Sequence, residues 1–496
     1  MMPGAQISFN QIPVNLLTPG QYVEFDNSKA IGGLVNMPQR ILLIAPMLAA
    51  GTDVANVPFQ MDNLANATTK LGRGSIGAAM VGALLAVTDT IETWVLPVAD
   101  SAGGVQATGT IVVAGAPTEA GTLNLYVAGT RVQVAVATTD TATSVATAIA
   151  AAINANGDLP VTATSATATV TLTCRHKGTL GNDIDLRANY YPLSEKTPAG
   201  LTLTIAAALS GGTGDPAISA ALANIGATQY NTLIMAYNDD ANLALIETEL
   251  DTRWGPLYQN DGHCHVGFRG TVGSINTKLS TRNNPHVTLW TVETGGEPQP
   301  IWEKAALGGA IAAYYLAIDP ARPLQTLAMP GRLPASMEKR FTRAERNNIL
   351  SYGGATTIVD AGGNVVVERA VTTYVHNSGG FVDPSYRDIE TMYTLSLLRY
   401  QVRARIAQKF PRYKLANDGT QFAPGQAVVT PKIIKAEMIA LFRDWEDAGL
   451  VEDIDQFKAD LLVARNSTDV NRVDVLLPPN IVNQFRVFAA QIQFRL

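Results

Sequence analysis

Residues 40–46, RILLIAP, form a short apolar run about as long as one strand. Such a run is typical of a strand that is buried on both faces of a parallel sheet. Helical sequence follows at residues 62–67 and 75–87, and a second apolar run lies at residues 91–98. Strand, helix and strand in this order form a βαβ unit, which predicts a parallel sheet.

The same alternation of strands and helices returns after residue 214. Strands are predicted at residues 232–237, 263–268 and 286–292, an all-round apolar helix at 301–318 and a closing hairpin within 357–374. We therefore predict an α/β core with a mostly parallel sheet and flanking helices. This core comprises residues 31–101 and 215–374, so an insertion splits it.

The insertion, residues 102–214, is rich in Thr, Ala, Val and Gly and contains repeated runs of period two. This pattern predicts a small β-rich domain, interrupted by one helix at about residues 142–154. His176 lies between Arg175 and Lys177, and we expect it to be a solvated loop residue.

Residues 375–496 are predicted to form an α+β domain. A long helix is expected from Pro384 to about Lys409, and a second begins at Thr430. The long helix places Arg399 four residues from Arg403, and Arg405 four residues from Lys409. Like charges at this spacing repel unless an acidic surface faces them. These four residues are candidates for a partner surface, and an ordinary solvated helix face is the alternative.

The two ends of the chain are extended and apolar. In the last run, residues 488–496, apolar side chains alternate with polar ones, which is typical of a half-buried strand. Such a strand needs a sheet, either its own or that of a neighbouring copy. The N-terminal arm, residues 1–30, poses the same question. The candidate contacts between subunits are Ile7, Phe9, Ile12, Val14, Phe488, Ile492, Phe494 and Leu496.

Composition excludes several functions. The 496 residues carry a net charge of -6, and only 16% are charged, against roughly a quarter in typical proteins. A net acidic chain without basic runs argues against direct binding of nucleic acid. The longest near-apolar runs, residues 76–87 and 305–318, are shorter than the ~18 residues of a membrane span, so no membrane insertion is expected.

Two motifs suggest enzymes or cofactors. Residues 72–77, GRGSIG, match the glycine pattern of dinucleotide-binding loops. In those loops the glycines follow the first strand directly, whereas here a helix intervenes, so we favour a role in helix packing. His263 and His265 flank Cys264, but a zinc site needs further ligands that the sequence does not supply. We expect no enzyme and no cofactor; a nucleotide-binding α/β enzyme is the alternative.

Six short motifs, in this order, resemble the contractile tail sheath proteins of Mu-like bacteriophages. They are PGQYVE at 19–24, GRGS at 72–75, GTLGNDI at 178–184, RAVTTY at 369–374, YRDI at 386–389 and DVNRVD at 469–474. Together they span nearly the whole chain.

The resemblance implies a sheath subunit that forms stacked hexameric rings around a tail tube protein. It also implies an outward-facing insertion and arms that join sheets on neighbouring subunits. The C-terminal domain would lie near the tube, with Arg399, Arg403, Arg405 and Lys409 as tube-facing candidates. A baseplate and a tail terminator are the further partners, and assembly is expected in the bacterial cytoplasm. Contraction would drive the tube through the host envelope. A static structural tube protein is a second alternative.

Overall fold

A computed structural model describes residues 17–23, 34–423 and 425–495 of the chain. It divides into two units. The core unit comprises residues 37–398 and 481–496, and the C-terminal unit comprises residues 1–36 and 399–480.

The strands and helices are as follows. The strands are β1 (Arg40–Met47), β2 (Phe59–Gln60), β3 (Glu92–Ala99), β4 (Gln106–Gly115), β5 (Gly121–Val127), β6 (Thr130–Val136), β7 (Val161–Ala166), β8 (Thr169–Lys177), β9 (Leu186–Ala188), β10 (Leu201–Ile205), β11 (Thr232–Met235), β12 (His263–Gly270), β13 (Val287–Glu293), β14 (Gly354–Val359), β15 (Val365–Arg369), β16 (Lys414–Leu415), β17 (Val428–Val429), β18 (Val451–Glu452), β19 (Leu462–Arg465), β20 (Val473–Leu476) and β21 (Asn480–Ile481). The helices are α1 (Leu64–Leu71), α2 (Ile76–Leu85), α3 (Ala142–Ala155), α4 (Ser219–Ala223), α5 (Asp240–Trp254), α6 (Val272–Ser280), α7 (Ile301–Ile318), α8 (Arg343–Ser351), α9 (Ile389–Lys409), α10 (Pro431–Asp447) and α11 (Ile454–Asp460), and short 3₁₀ turns lie at Thr179–Asp183 and Met337–Lys339.

An eight-stranded sheet forms the centre of the core unit. Six parallel strands lie in the order β14, β13, β12, β11, β1 and β3, and antiparallel β15 and β2 form the two edges. Residues 41–47 of β1 are all buried, because helices cover the parallel sheet. The apolar helix α7 packs on β11 and β12, and α2 packs on β1 and α7. The predicted α/β core with a mostly parallel sheet is confirmed.

Between β3 and β11 the chain forms the β-rich insertion that the alternating runs predicted. One antiparallel sheet has the order β10, β4, β8 and β7, and a second has the order β6, β5 and β9. Helix α3 packs against β7. It begins at a capping box in which Thr141 and Ser144 each bond to the other's backbone N–H.

The long helix α9 begins at Ile389, five residues later than Pro384 as predicted from sequence. The backbone before it is engaged elsewhere, because Thr372 N–H donates to the Arg387 carbonyl at 2.7 Å. Val371 also pairs with Asp388 in an isolated antiparallel bridge. These long-range bonds hold the segment extended and delay the start of the helix.

In the C-terminal unit, α10 has the amphipathic character that its sequence predicted. Thr430 caps the helix, with Pro431 at its first turn. Its buried face carries Ile434, Met438, Leu441 and Trp445. Across residues 17–23, 34–423 and 425–495, no helix has the length and apolar character needed to cross a membrane.

Candidate assembly site

The C-terminal arm, residues 482–495, has no helix or strand, although its sequence alternates like a strand. Every residue from Val487 to Arg495 is exposed. Among them, Phe488, Ile492 and Phe494 are 80%, 89% and 80% exposed. A single exposed apolar residue is common, but a contiguous series marks an interaction site.

The strand predicted at the end of the chain is therefore not formed within residues 482–495 of this chain. A strand needs a neighbour for its backbone N–H and C=O groups, and here no strand of the described chain pairs with it. The sequence left two possibilities for this strand: a sheet of its own chain or a sheet of a neighbouring copy. In this structure residues 482–495 join no sheet of their own chain.

The N-terminal candidates Ile7, Phe9, Ile12 and Val14 lie outside the described residues, as does Leu496. In the short described part of that arm, residues 17–23 are all exposed and have no helix or strand.

The basic face of α9 meets an acidic face of α10 in the same chain. The Nη1 atom of Arg405 lies 3.0 Å from the Glu437 carboxylate, and the Nη2 atom of the same side chain pairs with Asp444. Lys409 Nζ lies 3.3 Å from Glu437. Helix α10 thus supplies the acidic surface that the pair Arg405 and Lys409 required.

Of the two remaining tube-facing candidates, Arg399 is half-buried and Arg403 is exposed. The structure does not bring all four basic residues onto one open surface, because the Arg405 side chain is only 13% exposed. Tube contact by this helix stays a prediction.

The glycine-rich loop, residues 72–77, leads into α2. Gly72 and Gly74 have positive φ angles of 90° and 78°. Ser75 caps the helix by accepting from Ala78 N–H at 3.0 Å. A Cβ atom on Gly77 would lie 2.5 Å from the Pro46 carbonyl oxygen, so this glycine permits close packing of helix and sheet.

A side chain from the insertion occupies the start of α2. His176 Nε2 accepts the Ile76 N–H at 3.1 Å, and its Nδ1 lies 2.8 Å from Asp100. His176 is 1% exposed, so the expectation of a solvated loop residue is wrong. It continues the buried face of β8 after Val170, Leu172 and Cys174, and this alternation was a signal in the sequence.

The start of α7 is occupied in the same way. Asp183, also from the insertion, accepts the Ile301 N–H at 2.7 Å and pairs with Arg269 at 2.5 Å. The N–H groups at a helix start attract anions, and a carboxylate of the chain itself accepts the first of them here. The core therefore uses these two helix starts to hold the insertion.

The His263, Cys264 and His265 triplet lies buried on β12. His263 Nε2 is 2.8 Å from the Thr288 hydroxyl, and Trp290 Nε1–H donates to His265 Nδ1 at 3.2 Å. Burial lowers the pKa of His265 to about 3, so its imidazole is neutral. Within the described part of the chain, no group of three or more His, Cys, Asp or Glu side chains is arranged to hold a metal ion.

Two helix starts of the core are occupied by the chain's own insertion, and the exposed apolar arm is typical of a protein that assembles with other subunits. Sequence comparison identifies the assembly. Phage tail sheath family models match as the beta-sandwich domain at residues 102–214, the central domain at 211–373 and the C-terminal domain at 382–495. The chain is 46% identical over 490 residues to the Mu-like prophage FluMu tail sheath protein of Haemophilus influenzae, covering 99% of this chain and 100% of that protein. The chain belongs to the phage tail sheath family.

Solved sheath structures are also similar. The sheath tail protein of Listeria innocua aligns with a TM-score of 0.48 at 15% identity, covering 91% of this chain and 94% of that one. The sheath of an extracellular contractile injection system, PVC, in the contracted state, aligns with a TM-score of 0.49 at 10% identity, covering 96% and 97%.

Family membership confirms the resemblance to Mu-like sheaths. The chain is a structural subunit of a contractile tail sheath and a component of the virion tail, and it is not an enzyme. It works as an oligomeric assembly of sheath subunits.

Proposed function

We propose that this chain polymerises as stacked rings, with hexameric symmetry, around a tail tube protein, and that the arms of each subunit complete sheets on neighbouring copies. The observation that carries the proposal is the C-terminal arm, which exposes Phe488, Ile492 and Phe494 and pairs with no described strand of its own chain. Adding a strand to an open sheet edge satisfies backbone N–H and C=O groups and buries alternate side chains. The N-terminal residues Ile7, Phe9, Ile12 and Val14 are proposed to act in the same way, as is Leu496.

The acceptor we propose is the sheet of β19 and β20 on the neighbouring copy. These two strands pair antiparallel, and no further described strand lies on either outer edge. Two-stranded sheets are marginally stable alone. Leu462 and Leu476, which pair across the sheet, are 61% and 58% exposed. An incoming arm would supply the missing strand and cover these side chains.

We propose a position in the ring for each of the remaining domains. The insertion, residues 102–214, would face outward, and the α/β core, residues 31–101 and 215–374, would form the ring body. Residues 375–496 would lie toward the tube, with Arg399, Arg403 and Lys409 near it and Arg405 joining α9 to α10. Assembly would take place in the host cytoplasm, between a baseplate and a tail terminator.

The mechanism is mechanical. The sheath would assemble in a metastable extended lattice, and a baseplate signal would release it to a shorter, wider lattice with more buried contact between subunits. This change would drive the tube through the host envelope. Because the free energy is stored at assembly, the cycle needs no hydrolysis and no cofactor.

Deletion of residues 491–496 tests the proposal. These residues are exposed in the described chain up to Arg495, so the truncated subunit should fold with an unchanged melting temperature. We expect electron micrographs to show no cylinders from the truncated protein. Normal sheaths would refute strand exchange. For the full-length chain, cylinders of two lengths support contraction, whereas a single length would favour a static tube.

A further inference from the structure

The base of the C-terminal arm is held by one buried charge. Arg486 is the only residue after Phe485, up to residue 495, that is not exposed, and its side chain is 12% exposed. Its Nη2 atom lies 2.9 Å from Glu390 and 3.2 Å from Asp388. Both acids lie at the start of α9 in the core unit, to which the arm also belongs.

These two carboxylates are themselves fixed by the core. Asp388 accepts two hydrogen bonds from Arg369, at 2.8 and 2.9 Å. Glu390 is fully buried and accepts the Leu324 N–H at 3.1 Å. Two acids and two guanidinium groups thus form a neutral cluster. It joins two of the family-like motifs, RAVTTY through Arg369 and YRDI through Asp388.

The contact of Arg486 is electrostatic. None of its guanidinium nitrogens has a hydrogen-bond partner with suitable geometry, although all three are buried. Burial raises the pKa of Glu390, and the positive charge of Arg486 opposes that rise. The attraction between buried opposite charges is therefore what holds this point of the arm.

Within the described arm, residues 482–495, no residue other than Arg486 forms an ion pair, and none pairs in a sheet. The nearest preceding strand is β21, which ends at Ile481, and every described residue after Arg486 is exposed. Val482, Gln484 and Arg486 are half-buried, while Asn483, Phe485 and Val487 are exposed, so one face of this segment already lies against the molecule.

We propose that Arg486 is the anchor that sets where the C-terminal arm leaves its own subunit and so positions Phe488, Ile492 and Phe494 for the neighbouring sheet. The proposal rests on the strand exchange proposed above. The side chains of a strand alternate between its two faces, so a shift of one residue would turn the apolar face of the arm away from its acceptor. The anchor shortens the free segment before Phe488 and limits such shifts.

The size of the effect follows from the length of free chain. With Arg486 held, about two residues separate the anchor from Phe488. Without it, the half-buried face of residues 482–486 is also released, so the free segment extends back to Ile481 and is about seven residues long. Effective concentration falls with about the −3/2 power of length, so this roughly 3.5-fold change lowers it about sevenfold. We therefore expect the critical concentration for polymerisation to rise about sevenfold when the anchor is lost.

Four variants test the anchor against a purely structural role. Arg486→Lys keeps the charge, and Arg486→Gln removes it but leaves Glu390 buried and unpaired. The double variant Arg486→Gln with Glu390→Gln removes both charges and keeps an acceptor for Leu324 N–H. Deletion of residues 491–496 is the control for strand exchange. For each, the melting temperature of the subunit and the critical concentration are measured by calorimetry and sedimentation.

For the double variant we expect a melting temperature near that of wild type and a critical concentration about sevenfold higher. The lysine variant should be closer to wild type in both quantities. Should Arg486→Gln fail to fold, the double variant carries the test, because it leaves no unpaired charge at Glu390. A double variant that polymerises like wild type would overturn the anchor. Normal polymerisation of the deletion would instead refute strand exchange.

Discussion

Replacing the apolar face of the C-terminal arm should abolish assembly without unfolding the subunit. In the triple variant Phe488→Ser, Ile492→Ser and Phe494→Ser, each replaced side chain is at least 80% exposed in the free chain. Surface changes of this kind alter the free energy of unfolding by about 0.5 kcal/mol or less. If a neighbour buries all three, each contributes about 1.5–3 kcal/mol, or about 4–9 kcal/mol per junction. Since 1.4 kcal/mol is a factor of ten, association should weaken by at least about a thousandfold.

The matched control is Gln491→Ser with Gln493→Ser, which changes the opposite face of the same predicted strand. Sedimentation velocity across a range of concentrations gives the fraction of assembled chain, and calorimetry gives the melting temperature of the subunit. We expect the control to assemble like wild type and the triple variant to remain unassembled at the same melting temperature. Equal assembly of both variants would show that the apolar face is not what the neighbour recognises.

Three further predictions concern the core unit. The pKa of His265 is about 3 in the folded chain and about 6.5 when unfolded, so its stabilising effect is present above pH 6.5 and is lost as pH falls toward 3, by about 1.4 kcal/mol per pH unit. His265→Gln should therefore remove one proton from the slope of unfolding free energy against pH. An unchanged slope would contradict the buried neutral imidazole. Asp183→Ala should lower the free energy of unfolding by about 3 kcal/mol or more, because it removes the carboxylate that pairs with Arg269. The control is Asp158→Ala, at an exposed ion pair, which should change the free energy of unfolding little in denaturant titrations. Equal losses of stability in the two variants would argue against the insertion contact. Calorimetry with NAD or ATP should show no heat of binding, since the Ile76 N–H at the glycine-rich loop already donates to His176, and saturable heat would restore the nucleotide hypothesis.

Local periodicity predicted the parts of the fold in which burial repeats along the chain. The apolar run at residues 40–46 became β1, an interior strand of the sheet, because a strand covered on both faces leaves no polar positions. The stripe of Ile434, Met438, Leu441 and Trp445 became the buried face of α10 because residues three and four apart share one side of a helix.

Contacts between distant residues could not be read from such patterns. Asp183 and Ile301 are 118 residues apart, and His176 and Ile76 are 100 apart. No pattern in the neighbouring sequence indicates that side chains of the insertion accept the N–H groups at the starts of α2 and α7. For His176 a signal did exist, because the two-residue period of β8 extends to it, but its basic neighbours suggested a loop.

For the basic residues of α9, the sequence predicted the chemistry of the facing surface but not its location. The four-residue spacing of Arg405 and Lys409 required a facing acidic surface, and the structure supplies one through Glu437 and Asp444. The spacing predicted that acidic residues face this part of the helix. It could not show whether those residues belong to this chain or to a partner, because repulsion between like charges is relieved by either.

Disulfide cross-linking can show whether the C-terminal arm of one subunit binds the sheet of β19 and β20 on another. Both native cysteines, Cys174 and Cys264, are fully buried, so engineered cysteines are the reactive ones. Gln491→Cys is combined in turn with a cysteine at each position of β20, because a disulfide requires Cα atoms within about 7 Å. After mild oxidation of assembled sheath, we predict a ladder of chain multiples on a denaturing gel for at least one pairing. Cross-linking within single chains, at dilutions where only monomer exists, would contradict completion of the arm by another copy.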